Sequence, residues 1–122
     1  ANRGTVDVYN PKLVRATMGS IFRIPVVYVD DFREALLTLA REGIHLYAAA
    51  LQASVPYDSI EYPEKTAFLI GNEAAGLSVE AIAAANQSIH IPMLGQVESL
   101  NAAVAASILL YERARQRRKE RA

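Results

Sequence analysis

Four short, mostly apolar runs, at residues 26–29 (Val-Val-Tyr-Val), 46–51 (Leu-Tyr-Ala-Ala-Ala-Leu), 67–70 (Ala-Phe-Leu-Ile) and 88–91 (Ser-Ile-His-Ile), alternate along the chain with stretches of helical spacing. A strand that is apolar on both sides must be covered on both faces, and parallel strands need a crossover between them. The alternation therefore predicts an α/β fold, a mostly parallel sheet with helices on both faces.

The helices carry their own start and stop signals. Asn10-Pro11 opens a first helix with an apolar stripe of Leu13, Val14, Met18, Ile21 and Phe22. Asp31 and Glu34 form a capping-box pattern before a second, whose Phe32, Ala35, Leu36 and Leu39 share a face and which Gly43 closes. Residues 52–65, with Pro56 and Pro63, leave little room for a crossover helix and read as an irregular connection. Ser78 caps a short helix over 79–85, and 92–97 is a loop. Leu100, Ala103, Val104, Ser107, Ile108 and Tyr111 then recur at helical spacing and predict a long final helix with that stripe against a core.

At 122 residues, 52% hydrophobic and 21% charged, the chain encloses one sizeable core, so a single domain over 1–122 is expected. The absence of cysteine excludes a disulfide scaffold and a thiolate metal site, and makes a reducing cytoplasm the natural setting. No apolar run approaches the roughly 20 residues that span a bilayer, so no membrane partner is expected. Arg3, Asp7, Lys12 and Arg15 stand where a signal sequence would be apolar. The chain starts at Ala1 in ordered-looking sequence and reads as a trimmed piece of a longer protein.

The zero net charge conceals an asymmetry. Through Glu112 there are 7 basic and 12 acidic residues, a balance of −5; from Arg113 onward, 6 basic and 1 acidic give +5. A basic tail over 113–122 either attracts phosphate backbones or is a solvated last helical stretch whose cations suit the helix dipole.

Several chemistries are excluded. Gly71 and Gly76 have the spacing of a phosphate-binding loop, but Leu77-Ser78 stands where Lys-Ser or Lys-Thr is required. Neither a Gly-x-Gly-x-x-Gly nor a Gly-x-Ser-x-Gly motif is present. His45 and His90 are isolated from each other and read as ordinary strand histidines, and no metal is expected. Asp30 and Asp31 are adjacent, so their side chains diverge; capping explains them better than acid/base work.

Two loops remain, 71–76 and 92–97, the second running into the start of the long helix with Ser99 and Asn101, and each leaves an apolar strand at the edge where open α/β folds bind ligands. Each residue has a plain structural explanation: Ser99 or Asn101 as a helix cap, Asn72 as a turn residue, Glu73 as a solvated carboxylate, the glycines as turn formers. One cap accounts for Ser99 or Asn101 but not both, and neither loop is a short polar turn. Together they predict a small-molecule pocket formed by two loops.

The succession Gly71-Asn72-Glu73-x-x-Gly76-Leu77, then Ile91-Pro92-Met93, then Glu98-Ser99-Leu100-Asn101 and an alanine-rich helix ending in Tyr111-Glu112, resembles the second and third motifs of the SpoU (TrmH-like) RNA ribose methyltransferases of the SPOUT class. Residues 10–25 also resemble the segment preceding them, so the resemblance covers nearly the whole chain. It implies a C-terminal trefoil knot, here within about 67–112, tied by threading the last helix through a loop. It implies S-adenosyl-L-methionine as cofactor, with Gly71, Ile91 and Leu100 lining the adenosine and Ala50, Leu51, Asn72 and Met93 nearby. Glu73, Ser99 and Asn101 would shape the pocket and orient the reacting groups. The implied reaction methylates a ribose 2′-hydroxyl of rRNA or tRNA, by a homodimer with no metal.

The family's first motif, an Asn followed several residues later by a hydroxyl-activating Arg, is not found, and the N-terminal strands that carry it are expected to be missing. Asn10 and Arg15 belong to the later segment, and neither Arg15 nor Arg23 takes the catalytic role. Two readings follow: the C-terminal part of an RNA 2′-O-methyltransferase, inactive on its own, or a non-catalytic cofactor-binding or dimerisation module.

Overall fold

The computed structural model describes residues 24–72, 75–93 and 101–121. The helix expected from Asn10, and the site candidates Glu73, Ser99 and Leu100, lie outside them. The chain divides into two compact units, Ala1–Ala35 and Leu36–Ala122.

In the first unit the buried strand expected over 26–29 is not formed. Val27 is 66% exposed, and of this run Val29 takes part in a β-bridge. An apolar β-branched run is not by itself a strand, because β-propensity measures fit to a sheet more than an intrinsic backbone preference. Asp31 does what its position predicts: its Oδ1 accepts from the Glu34 amide at 3.0 Å and its carbonyl from the Ala35 amide at 3.1 Å, opening α1 (Phe32–Arg41).

In the second unit Leu36 of α1 is buried, and Gly43 ends the helix in the left-handed region (φ +81°). Ile44 N then donates to Leu39 O at 3.1 Å, the closure that a C-terminal glycine permits. The chain continues through β1 (His45–Ala49), β2 (Ser54–Pro56), a 3-10 turn (Tyr57–Ser59), β3 (Thr66–Leu69), α2 (Val79–Ala84), β4 (Gln87–His90) and α3 (Ala102–Glu120). The stretch 52–65 is thus more structured than expected. Its strand is three residues long and sits at a sheet edge, where Pro56 removes no donor that a neighbour requires.

Among the described residues the four strands pair in parallel, in the order β2-β4-β1-β3. Asn86 sets the register of β4: its amide donates to Leu46 O at 2.7 Å and its Oδ1 accepts from Leu46 N at 2.8 Å. β4 lies between β1 and β2, although residues 50–53 alone join those two strands, so this short segment crosses β4. The knot expected within 67–112 includes residues 94–100, outside the described residues.

Strand alternation divides the core. Tyr47 and Ile89 share one face with Tyr62 and Leu109, while Leu46 and Ala48 point to the other and are fully buried. Tyr62 meets Tyr47 and Phe68 edge-to-face, with ring centroids 5.0 and 5.3 Å away, and its hydroxyl donates to Tyr57 O at 2.5 Å. Leu109 brings α3 onto this face, and α2, whose Ala81 is buried, packs against β1. The predicted α/β class therefore holds.

The face of α3 does not. Val104 and Tyr111 of the expected stripe are 47% and 65% exposed, whereas Leu109, Glu112 and Arg113 are buried and Gln116 half-buried. Polar side chains can occupy an inward face when their hydrogen bonds are satisfied. Gln116 Nε2 donates to Ile60 O at 2.8 Å while its Oε1 accepts from Tyr62 N at 2.9 Å, and the Glu112 carboxylate accepts from Arg115 Nε at 2.6 Å and NH2 at 2.9 Å.

Candidate functional site

Three neighbouring strands, β4, β1 and β3, end side by side; Ile91 directly follows β4, Ala50 directly follows β1, and Gly71 stands two residues past the end of β3, level with Ala50 in the register. The Ala50 amide donates to Ile89 O at 3.1 Å, which extends the ladder by one residue and fixes the start of the crossing segment. Three expected cofactor positions are therefore adjacent at the carboxyl edge of a parallel sheet, and Leu51, Asn72 and Met93 follow them within two residues.

The crossing segment is held from β4. Leu51 exposes 66% of its surface, and its carbonyl accepts from Ser54 Oγ at 2.6 Å. The same Oγ lies 2.7 Å from His90 Nδ1. Ala53 takes φ +53°, a conformation unfavourable for a residue with a β-carbon. In the sequence His90 reads as an ordinary strand histidine and Ser54 takes no role, because their pairing depends on β2 lying next to β4.

The first loop is folded tightly on itself. Asn72 O accepts from Gly76 N at 2.8 Å and Asn72 Oδ1 from Ala75 N at 2.8 Å, so one asparagine closes the turn through backbone and side chain together. Gly76 has φ +68°, which glycine adopts at little cost. A β-carbon on Gly71 would run into the Gly76 carbonyl carbon and the Leu77 amide nitrogen, with the Gly76 oxygen 2.7 Å away. Both glycines are thus required, one for its dihedral and the other for close approach.

In the second loop Ile91 and Met93 are half-buried on either side of exposed Pro92. At its far end Asn101 is the N-cap of α3: Oδ1 accepts from Ala103 N at 2.8 Å and Val104 N at 3.4 Å, and its carbonyl from Ala105 N at 2.9 Å. Of the two cap candidates, Asn101 fills the position.

None of the six described cofactor candidates, Ala50, Leu51, Gly71, Asn72, Ile91 and Met93, is ionisable. Small, apolar and amide groups at adjoining strand ends suit a flat, partly apolar ligand recognised by shape and backbone, such as the adenosine of S-adenosylmethionine. The resolved electrostatic shifts lie elsewhere. Hydrogen bonding to Arg115 holds the Glu112 carboxyl below the usual range, and burial, reinforced by Glu112, pushes the Tyr62 phenol well up. A cleft of about 710 Å³ between the 3-10 turn and α3 is lined by Tyr57, Asp58, Ser107, Ile108, Tyr111 and Arg115 with Glu112, and contains none of the expected cofactor residues.

Comparison with known proteins agrees with this geometry. Residues 1–111 match the model of the SpoU rRNA Methylase family. The chain is 41% identical over 114 residues to the 23S rRNA (guanosine(2553)-2′-O)-methyltransferase RlmP of Bacillus subtilis, covering 88% of this chain and 43% of the relative. It is 44% identical over 90 residues to the tRNA (guanosine(18)-2′-O)-methyltransferase of Thermus thermophilus, covering 73% and 46%. The SpoU methyltransferase AviRb from Streptomyces viridochromogenes, solved in complex with AdoMet, superimposes with a TM-score of 0.87 at 36% identity, over 98% of this chain and 49% of that one. The chain spans a little under half the length of these relatives.

Proposed function

Because the chain belongs to the SpoU rRNA methylase family, we propose that it is the cofactor-binding part of an S-adenosylmethionine-dependent methyltransferase acting on a ribose 2′-hydroxyl of ribosomal or transfer RNA. The observation that carries this reading is the alignment of Ala50, Gly71 and Ile91 at three adjacent strand ends, beside a turn that admits no side chain at Gly71. S-adenosylmethionine, when bound, supplies a methyl group made electrophilic by its sulfonium. The residues of the chain do the positioning, which accounts for much of such a displacement. Ala50, Leu51, Gly71, Asn72, Ile91, Met93 and Leu100 hold the cofactor. Glu73, Ser99 and Asn101 shape the pocket, Asn101 by fixing where α3 begins.

The domain is a single SPOUT-type unit with its trefoil knot within about 67–112 and a basic tail over 113–122; the passage of residues 50–53 across β4 supports an entangled topology. It works as a homodimer in the cytoplasm. The exposed apolar side chains of α3, Val104, Leu110 and Tyr111, and the adjoining cleft support a second copy docking there.

Calorimetric titration with S-adenosylhomocysteine tests the reading, beside a Leu51→Asp variant that charges an exposed apolar contact without disturbing the core. Binding by the parent, weakened in the variant and resistant to competing ATP, is the expected result. A folded protein that binds neither compound, or that ATP displaces equally well, sinks it. Labelled methyl transfer to RNA, assayed on a chain that also carries the family's first motif, then separates an enzyme from a binding module.

A further inference from the structure

We infer that Ser54 and His90 are positioning residues for the cofactor site, setting the crossing segment 50–53 against the loop that begins at Ile91. This rests on the cofactor reading proposed above and assigns a role to two side chains outside the expected site.

A serine hydroxyl has one proton, and Ser54 donates it to the Leu51 carbonyl, which can only accept. The contact between Ser54 Oγ and His90 Nδ1 at 2.7 Å is then a hydrogen bond only if Nδ1 carries the proton. The direction is fixed: His90 donates to Ser54, and Ser54 donates to Leu51. Strand register explains why the pair meets. Ser54 is opposite Ser88 and Pro56 opposite His90, so Ser54 and His90 are diagonal neighbours on one face of the β2–β4 pair.

The relay joins two parts of the proposed pocket. Leu51 lies on one side of it, and His90 immediately precedes Ile91 on the other. The segment between Ala50 and Ser54 includes Ala53 in its unfavourable conformation, so something must hold it in place. The described bonds that do so come from β4: Ile89 O to the Ala50 amide, the relay from His90 to the Leu51 carbonyl, and a long contact of 3.4 Å from Gln87 Nε2 to Ala53 O. β4 is thus a common frame for the crossing segment and for the loop that begins at Ile91, and the two side chains transmit its position to Leu51.

The test compares the parent with Ser54→Ala, His90→Leu and His90→Asn in calorimetric titration with S-adenosylhomocysteine, with thermal unfolding and amide hydrogen exchange over 50–53 on the free proteins. Asparagine keeps a donor near the place of Nδ1, whereas leucine keeps only bulk. Ser54→Ala and His90→Leu are expected to weaken binding by about tenfold and to speed exchange in 50–53, with little change in Tm, while His90→Asn restores most of the affinity. A parent that binds alongside Ser54→Ala and His90→Leu variants of unchanged affinity overturns the inference alone, as does a loss that His90→Asn does not repair. A parent that binds nothing overturns the functional reading and the cofactor role of the pair with it.

Discussion

Tyr62 donates its backbone amide to the side-chain oxygen of Gln116 at 2.9 Å, across 54 residues of sequence, and the same side chain returns a donor to Ile60 O at 2.8 Å. One carboxamide on α3 thereby satisfies two backbone groups in the connection from the 3-10 turn to β3, as an adjacent strand would. Gln116→Ala leaves both unpaired in a half-buried setting and is expected to lower stability by about 1–3 kcal/mol in urea unfolding. Gln116→Glu is the sharper control. It keeps size and acceptor but sets an oxygen against the Ile60 carbonyl, so it should not rescue. Parent-like stability in both variants would remove Gln116 from any account of how α3 is held.

The two glycines of the first loop should respond differently to the same change. An added β-carbon at Gly76 meets nothing within 4 Å, so Gly76→Ala carries only the dihedral penalty, about 1–2 kcal/mol, and leaves room for ligand. At Gly71 the β-carbon strikes the Gly76–Leu77 backbone, which yields only if the loop opens. Gly71→Ala is therefore expected to weaken S-adenosylhomocysteine by more than about tenfold, and Gly76→Ala by much less. Paired titration and thermal melts measure both. Equal affinities in the two variants would mean that closure of this loop does not matter to the pocket.

The contrast between these glycines and Gln116 shows how much of the molecule was legible. Capping residues were readable because their chemistry is local: Asp31, Ser78 and Asn101 each accept from an amide two or three residues on. The strands at β1, β3 and β4 were readable to within a residue or two at their ends, because parallel sheets demand unbroken apolar runs. β2 was missed, since three residues ending in Pro56 give no pattern, and the run at 26–29 misled because apolar, β-branched content alone does not make a strand. The face of α3 was misjudged for a third reason: Glu112 and Gln116 look like surface residues until their partners are known. At the site, the strand-end candidates came from the motifs, whereas the pairing of Ser54 with His90 could not be read because β2 could not.

Tyr62 makes stability sensitive to alkali. Burial raises its phenol well above the ordinary value, with Glu112 and Tyr47 adding to the shift, and its hydroxyl donates to Tyr57 O. The folded chain then keeps this proton at pH values where the unfolded chain has released it, so the contribution is fully present below about pH 10 and is lost as pH rises beyond. Tyr62→Phe is expected to lose about 1 kcal/mol at neutral pH with the hydrogen bond, and to decline less steeply between about pH 10 and 11.5. Burial raises Tyr47 as well, so some slope persists in the variant. Parallel alkaline limbs for the two proteins, followed by chemical denaturation at stepped pH, would exclude Tyr62 as the source.

Arg113 presents the opposite case to Gln116, a polar group turned inward without adequate partners. Its Nε and NH1 are buried and make no hydrogen bond among the described residues, and the Glu120 carboxylate approaches NH1 only to 3.9 Å from an exposed position. A buried cation in that state loses hydration without recovering it in the fold, and an apolar side chain of similar length avoids the loss. Arg113→Met is therefore expected to leave stability unchanged or raise it by about 1 kcal/mol, whereas Glu112→Ala, which strips the bidentate partner from Arg115 and empties a buried position, lowers it. The comparison has a second reading at the RNA level. Because Arg113 is buried while Arg117, Arg118 and Lys119 are exposed, Arg113→Met should not alter the salt dependence of RNA affinity, and alanine at 117 and 118 should flatten it if the tail meets phosphates. A fall in stability of more than about 1 kcal/mol in Arg113→Met would show that this guanidinium is better satisfied in solution than its neighbours in the fold imply.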